Sequence, residues 1–214
     1  MKKHKPYLNL FKKILLLAVL VVLLFVGGTA LWALTIKIPD FDTLVERKII
    51  QSTKIYDKTG KILLYDIHKD AKRTIIPLEE IPKYVKDGTI AIEDDRFFSH
   101  PGIDVWGMFQ GIIIDPLTGK RARGGSTITQ QLVKNTFLTS ERTITRKIKE
   151  LVLALKVERL YSKDKILELY LNEIPYGSSA FGTEAAAQTF FGKHAAELTL
   201  AESAYLVSLP NAPT

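Results

Sequence analysis

The chain has no cysteine in 214 residues. That excludes a disulfide framework, a thiol nucleophile and a cysteine-ligated metal site, and leaves stability to an ordinary apolar core. No internal repeat or low-complexity tract is present, which argues against a solenoid or a linker-rich architecture. No histidine and carboxylate set stands at a fixed metal-binding spacing, so no metal site is expected. Acidic residues are missing from the whole N-terminal segment up to Pro39. The formal charge is +7, but five of those units belong to Lys2, Lys3, Lys5, Lys12 and Lys13, leaving +2 for residues 14–214. Such a balance is no nucleic-acid footprint, and nucleic acid is not expected as a partner.

Between Lys13 and Lys37 lie 23 uncharged residues, Ile14 to Ile36, mostly Leu, Val, Ile and Ala. As a helix they reach about 34 Å, slightly more than the apolar thickness of a bilayer. A cleavable signal peptide would have a shorter apolar region and a clearer small-residue cleavage site than Gly28 to Ala30 and Ala33 supply. The run therefore reads as one transmembrane anchor. Five lysines and no acids before it keep the N-terminus in the cytoplasm and put the body outside. The expected organisation is a basic cytoplasmic tail (1–13), an anchor (14–36), a juxtamembrane connector (37–48) and one body (49–214) large enough for a real core.

Within the body, residues 53–66 place Asp57-Lys58-Thr59-Gly60 between runs rich in Ile, Leu and Tyr, which predicts a β-hairpin. From Pro82 a helix is expected, with Val85, Ile90 and Ile92 as its buried residues and an end in the acidic run. Ser162 is expected to cap a helix over 163–172 and Thr199 a last helix ending at Pro210. Residues 184–191 also read as helix. The fold class is mainly α.

Two stretches carry chemistry. In the first, Glu93, Asp94 and Asp95 precede Arg96, Phe97, Phe98, Ser99 and His100. An acid packed on aromatic surface loses hydration, which suits it to proton transfer, although an acidic helix end beside core aromatics gives the same pattern. Of the four histidines only His100 sits in such a cluster; His4, His68 and His194 read as surface residues.

The second stretch is 124–150, GGSTITQQLVKNTFLTSERTITRKIKE. Drawn as helix, Thr127, Gln131 and Lys134 fall within about 60° of one another, and Val133 lies elsewhere. After Thr139 and Ser140 the pattern resumes with Arg142, Arg146, Lys149 and Glu150 in an arc of about 100°, opposite Ile144, Ile148, Leu151 and Leu155. A solvated helix face is the plain reading of such charges. Yet Arg142 and Arg146 are like charges in the i, i+4 relation that destabilises a helix, and the stripe suits a bound anion. A helix opening at Gly124, Gly125, Ser126 and Thr127 would add free N–H groups and a positive dipole end. Lys120, Arg121 and Arg123 make the preceding loop basic.

Four runs, EDDRFFSHPGID (93–104), GGSTITQQLVKN (124–135), RKIKE (146–150) with SKDKILELYLN (162–172), and LTLAESAYLVSLPNAPT (198–214), together resemble the peptidoglycan glycosyltransferases, glycosyltransferase family 51. That family includes the glycosyltransferase domain of class A penicillin-binding proteins and the monofunctional transglycosylases. The resemblance implies an α-helical, lysozyme-like body with a small jaw lobe beside the membrane and a short N-terminal β-hairpin, preceded by one transmembrane helix. It also implies polymerisation of lipid II into β-1,4-linked glycan, with inversion and release of polyprenyl diphosphate. Glu93 matches the catalytic base, and Lys134, Arg142 and Lys149, with Arg146 beside them, match the positions that hold the donor diphosphate. Glu150 matches a second acid, which either orients neighbouring cations or assists departure of the diphosphate. Ser126, Thr127 and Gln131 match the polar face of the cleft, and Asp94, Phe97 and His100 shape the surroundings of the base. No cofactor is required by the resemblance beyond an optional divalent cation (Mg or Mn), and moenomycin-type inhibitors are expected to bind. The chain stops at Thr214, where the family continues into a last helical segment, so the body is expected to be C-terminally incomplete.

Two other readings remain: a membrane-anchored, lysozyme-like lytic enzyme using a carboxylate pair, and a non-catalytic cell-wall assembly protein. The first would cleave lipid-free glycan. The second would be indifferent to loss of the Glu93 charge.

Overall fold

The computed structural model describes residues 5–35, 53–59, 63–67, 72–118, 125–138, 141 and 143–211. The chain divides into two compact units, Met1–Ile38 and Pro39–Thr214. The first holds α1 (Lys5–Thr35), a single helix of 31 residues along which Leu16, Leu23 and Phe25 are exposed. Among the described residues no helix is long and apolar enough to cross a membrane. The helix expected over 14–36 is present over most of that range.

In the second unit, β1 (Thr53–Tyr56) pairs antiparallel with β2 (Leu63–Ile67), Thr53 opposite Ile67 and Tyr56 opposite Leu63. The expected hairpin is there, and in its turn the Thr59 hydroxyl donates to the Asp57 carboxylate at 2.6–2.8 Å. The connector 37–48, the start of the body at Ile49, and the basic residues Lys120, Arg121 and Arg123 lie outside the described residues.

The described part of this unit is mainly helical. A short β3 (Lys72–Arg73) is followed by α2 (Lys83–Glu93), α3 (Val105–Phe109), a π turn (Gln110–Ile114) and α4 (Asp115–Leu117). Then come α5 (Ile128–Phe137), α6 (Ile144–Leu160) and α7 (Lys163–Glu173). The chain goes on through β4 (Pro175–Gly177), β5 (Ala180–Phe181), α8 (Thr183–Phe191) and α9 (Leu200–Ser208). β5 is the central strand of a small sheet, parallel to β3 and antiparallel to β4.

α5, α6, α7 and α9 each start where a side chain can accept from unpaired first-turn N–H groups. Thr127 and Thr199 form capping boxes with Gln130 and Glu202, and Thr143 and Ser162 cap α6 and α7. The core is built around α5, which packs on both α6 and α7. α5 buries Ile128, Leu132 and Val133, and α7 buries Ile166, Tyr170 and Leu171. Asn172 on α7 then fastens the segment before α2: its amide donates to the Ile76 carbonyl at 2.9 Å and accepts from the Ile76 N–H at 3.0 Å. Gly182 enters α8 at φ 81°, where a Cβ would lie 2.6 Å from the Asn172 carbonyl, so only glycine fits.

Two expectations about helix faces need correction. On α2 the buried residues are Val85 and Thr89, whereas Ile92 is 55% exposed. α2 packs on α9, with Gly88 against Val207, and Ile92 borders the open cleft. On α6 the buried stripe is Glu150, Leu153, Ala154 and Val157, while Ile144 is 82% exposed. The spacing i, i+3, i+4, i+7 is a regular core face, but one of its members is an acid, and assigning Glu150 to the polar side rotated the whole helix.

Candidate active site

A cleft of about 700 Å³ opens between the end of α2 and the start of α5. Glu93, Asp94 and Ile92 border it from α2 and its end, and Ser126, Thr127, Gln131 and Lys134 from α5 and the residues before it. Arg96, Asp104 and Met108 close the far side. Thr127, Gln131 and Lys134 do share one face, as the helical drawing requires, and Val133 points into the core.

Glu93 is the last residue of α2 and half-buried. Its Oε2 accepts from Gln131 Nε2 at 2.6 Å. Behind this pair lies Tyr170, fully buried, whose hydroxyl donates to Gln131 Oε1 at 3.4 Å. Burial, and then the nearby Glu93, Tyr176 and Asp94, push the Tyr170 phenol far above its usual range, so it stays protonated and remains a donor. Tyr176, buried nearby, is likewise pushed up, to about 12, by burial.

Asp94 faces the other way. It is 7% exposed, its Oδ2 accepts from the Ile128 N–H at 3.0 Å, and its Oδ1 accepts from His100 Nε2 at 2.8 Å. His100 Nδ1 accepts from the Gly102 N–H at 3.1 Å, so the ring proton sits on Nε2 and the neutral imidazole satisfies both contacts. Phe97, fully buried, lies edge-on to Phe98 and His100 and floors this arrangement without bordering the cleft. Asp94, Phe97 and His100 therefore fix the wall on which Glu93 stands. The expectation of a free anion seat at the start of α5 is corrected by the same geometry. The Ile128 N–H already has the Asp94 carboxylate, and the Gln130 N–H has the Thr127 hydroxyl. The resident anion is a side chain.

The cationic side is divided. Lys134 borders the cleft, but Arg146, Lys149 and Glu150 do not. Lys149 is exposed, Arg146 half-buried, and Arg142 lies outside the described residues. Glu150 is 2% exposed and pairs with the ammonium of Lys147, which donates in turn to Ser126 Oγ at 3.0 Å on the cleft rim. Lys147 thus links the buried acid to the cleft. It escaped the sequence reading because Lys149 and Arg146 were placed on the active wall, although the i, i+3 spacing from Lys147 to Glu150 was available as a signal. Arg96 and Asp104 were also missed: Arg96 Nη2 meets Asp104 Oδ2 at 2.5 Å, and Asp104 Oδ1 caps α3 by accepting from the Gly107 N–H at 2.8 Å.

The cleft brings together a carboxylate at Glu93 and an ammonium at Lys134, with the Lys147 ammonium at its rim. Among the described residues no group of His, Asp and Glu is placed to hold a metal ion.

Comparison with known proteins gives a consistent result. The family model described as transglycosylase matches residues 60–214. Penicillin-binding protein 1A of Aquifex aeolicus (strain VF5) is 45% identical over 200 residues, covering 91% of this chain and 27% of that protein. Penicillin-binding protein 1A of Neisseria flavescens is 44% identical over 178 residues, covering 83% of this chain and 22% of its own length. The chain spans about a quarter of the length of these relatives.

Proposed function

This chain belongs to the transglycosylase family, and from that premise we propose that it polymerises lipid II into β-1,4-linked glycan strands of peptidoglycan at a membrane surface. The acceptor's GlcNAc C4 hydroxyl attacks C1 of the MurNAc at the lipid-linked end of the growing strand. As the new C–O bond forms, Glu93 takes the hydroxyl proton. The bond from C1 to the diphosphate breaks, and the electron pair leaves with polyprenyl diphosphate. An α-linked diphosphate becomes a β-glycoside in this single displacement, so no covalent glycosyl-enzyme is needed.

The observation that carries the reading is the shared cleft: Glu93, held at 2.6 Å by Gln131, faces the same space as Lys134, Ser126 and Thr127. Preorganised cations beside the leaving group stabilise the charge that develops there. Lys134 and Arg142 are assigned to the donor diphosphate, with Arg146 and Lys149 further along α6. Lys147 joins them on the strength of its contact with Ser126. Glu150 acts by orienting Lys147, since its buried carboxylate is paired with that ammonium.

The lipid-linked substrate fits the remaining feature of the chain. α1 continues for 31 residues with apolar side chains exposed along it. We read it as a single-pass anchor with the lysine-rich end in the cytoplasm and the catalytic unit outside.

Purified full-length protein offered lipid II in detergent should form glycan polymer and should leave lipid-free cell-wall glycan intact. Degradation of that glycan with lipid II untouched would establish a lytic enzyme instead. Lipid II binding without turnover, unchanged in Glu93→Gln, would establish a binding protein.

A further inference from the structure

Glu93 and Tyr170 do not touch the same atom, but a single amide joins them. Gln131 presents Nε2 to Glu93 Oε2 at 2.6 Å and Oε1 to the Tyr170 hydroxyl at 3.4 Å. The two ends of a glutamine amide have nearly the same shape, so the partners alone decide which end points where. Resting on the reading of Glu93 as the base, we infer that Tyr170 is a positioning residue that sets the polarity of the Gln131 amide and so keeps an N–H donor aimed at Glu93 through the catalytic cycle.

The need for a second partner arises once Glu93 has taken the acceptor's proton. An ionised Glu93 only accepts and holds the N–H end by itself. A protonated Glu93 can donate, and would then accommodate an amide turned end over end, with Oε1 toward the base. In that orientation the amide favours the protonated acid and retards return to the carboxylate. Tyr170 opposes the turn because, although its oxygen could accept from Nε2, its buried hydroxyl proton would lose the Oε1 acceptor it now has. Asp94 is committed to Ile128 and His100, Arg96 has Asp104, and neither contacts Gln131.

The test compares two tyrosines of equal burial. Tyr170→Phe removes the hydroxyl that reaches Gln131. Tyr176→Phe removes a buried hydroxyl that meets Thr183 at 3.3 Å and has no contact with Gln131. Lipid II polymerisation is followed with the full-length protein, reading kcat, KM and Tm for each variant, for Gln131→Ala and for Gln131→Ala with Tyr170→Phe. Tyr170→Phe should lower kcat about three- to tenfold, the worth of one hydrogen bond, with KM within about twofold. Tyr176→Phe should lose a similar few degrees of Tm with kcat unchanged. Added to Gln131→Ala, Tyr170→Phe should cost nothing more. A wild-type kcat in Tyr170→Phe, equal kcat losses in both tyrosine variants, or independent losses in the double variant would each overturn the inference. Glu93→Gln run alongside separates the two claims: if it polymerises normally, the reading of the base has failed, whatever Tyr170 does.

Discussion

Glu93 and Glu150 are both glutamates withdrawn from solvent in the same unit, and their surroundings set them apart. Glu93 ends α2 at the edge of the cleft, where the neutral amide of Gln131 donates to it at 2.6 Å. Glu150 lies inside α6, 2% exposed, with the Lys147 ammonium on its carboxylate. The Lys147 ammonium holds the Glu150 carboxylate as one half of an ion pair. In the proposed function Glu93, at the cleft edge, takes the proton, and Glu150, outside the cleft lining, supports Lys147.

The largest effect expected from this contrast is at Glu93. Glu93→Gln keeps the shape and removes the basicity, and polymerisation should fall by about 10²- to 10⁴-fold with donor binding nearly unchanged. The supporting pair should respond differently. Lys147→Met leaves the buried Glu150 without its counter-ion, so a stability loss of about 1–3 kcal/mol is expected in denaturant titration, with activity down roughly tenfold or more. Glu150→Gln, which leaves no unpaired charge in the interior, should be milder on both measures. Equal losses of turnover in Glu93→Gln and Glu150→Gln would erase the distinction. Next in size is Lys134→Ala, for which donor KM should rise about tenfold, and further as salt is added, because the contact is between a cation and a diphosphate.

A third glutamate gives the comparison a scale without touching the chemistry. Glu184, 5% exposed at the start of α8, accepts from the Ala195 N–H at 2.7 Å, from Gln188 at 3.0 Å and from His194 at 2.8 Å. Burial alone would raise its pKa, but those hydrogen bonds outweigh it and hold the carboxyl below its ordinary value of 4.5. A carboxyl more acidic in the folded chain stabilises fully above the unfolded value and loses that contribution as pH falls below 4.5 through the folded one. Glu184→Gln should therefore weaken the fold by about 1–2 kcal/mol near neutrality, and the difference from wild type should shrink below pH 4.5, with kcat unchanged.

Much of this was legible in the residues because local chemistry decides it. Ser162 and Thr199 start helices where a hydroxyl can satisfy first-turn N–H groups, and the turn at Asp57 to Thr59 sits between the two expected strands. The shared face of Thr127, Gln131 and Lys134 follows from helical geometry alone. What the residues hid was set by partners distant in sequence. The start of α5 looks like an anion seat until Asp94, 34 residues earlier, is seen to occupy it. Glu150 looks like a surface acid until α5 covers it, and that misplacement carried Lys149 onto the working wall and left Lys147 out. Tyr170 reads only as a core aromatic, since nothing local connects it to Glu93.

The most direct measurement is lipid II polymerisation by Glu93→Gln and Glu150→Gln side by side, with donor binding recorded on the same preparations. Loss of polymer in Glu93→Gln with binding retained, and measurable polymer from Glu150→Gln, is the expected result. Polymer from Glu93→Gln within about tenfold of wild type, well short of what removal of a general base costs, would contradict the assignment of the base.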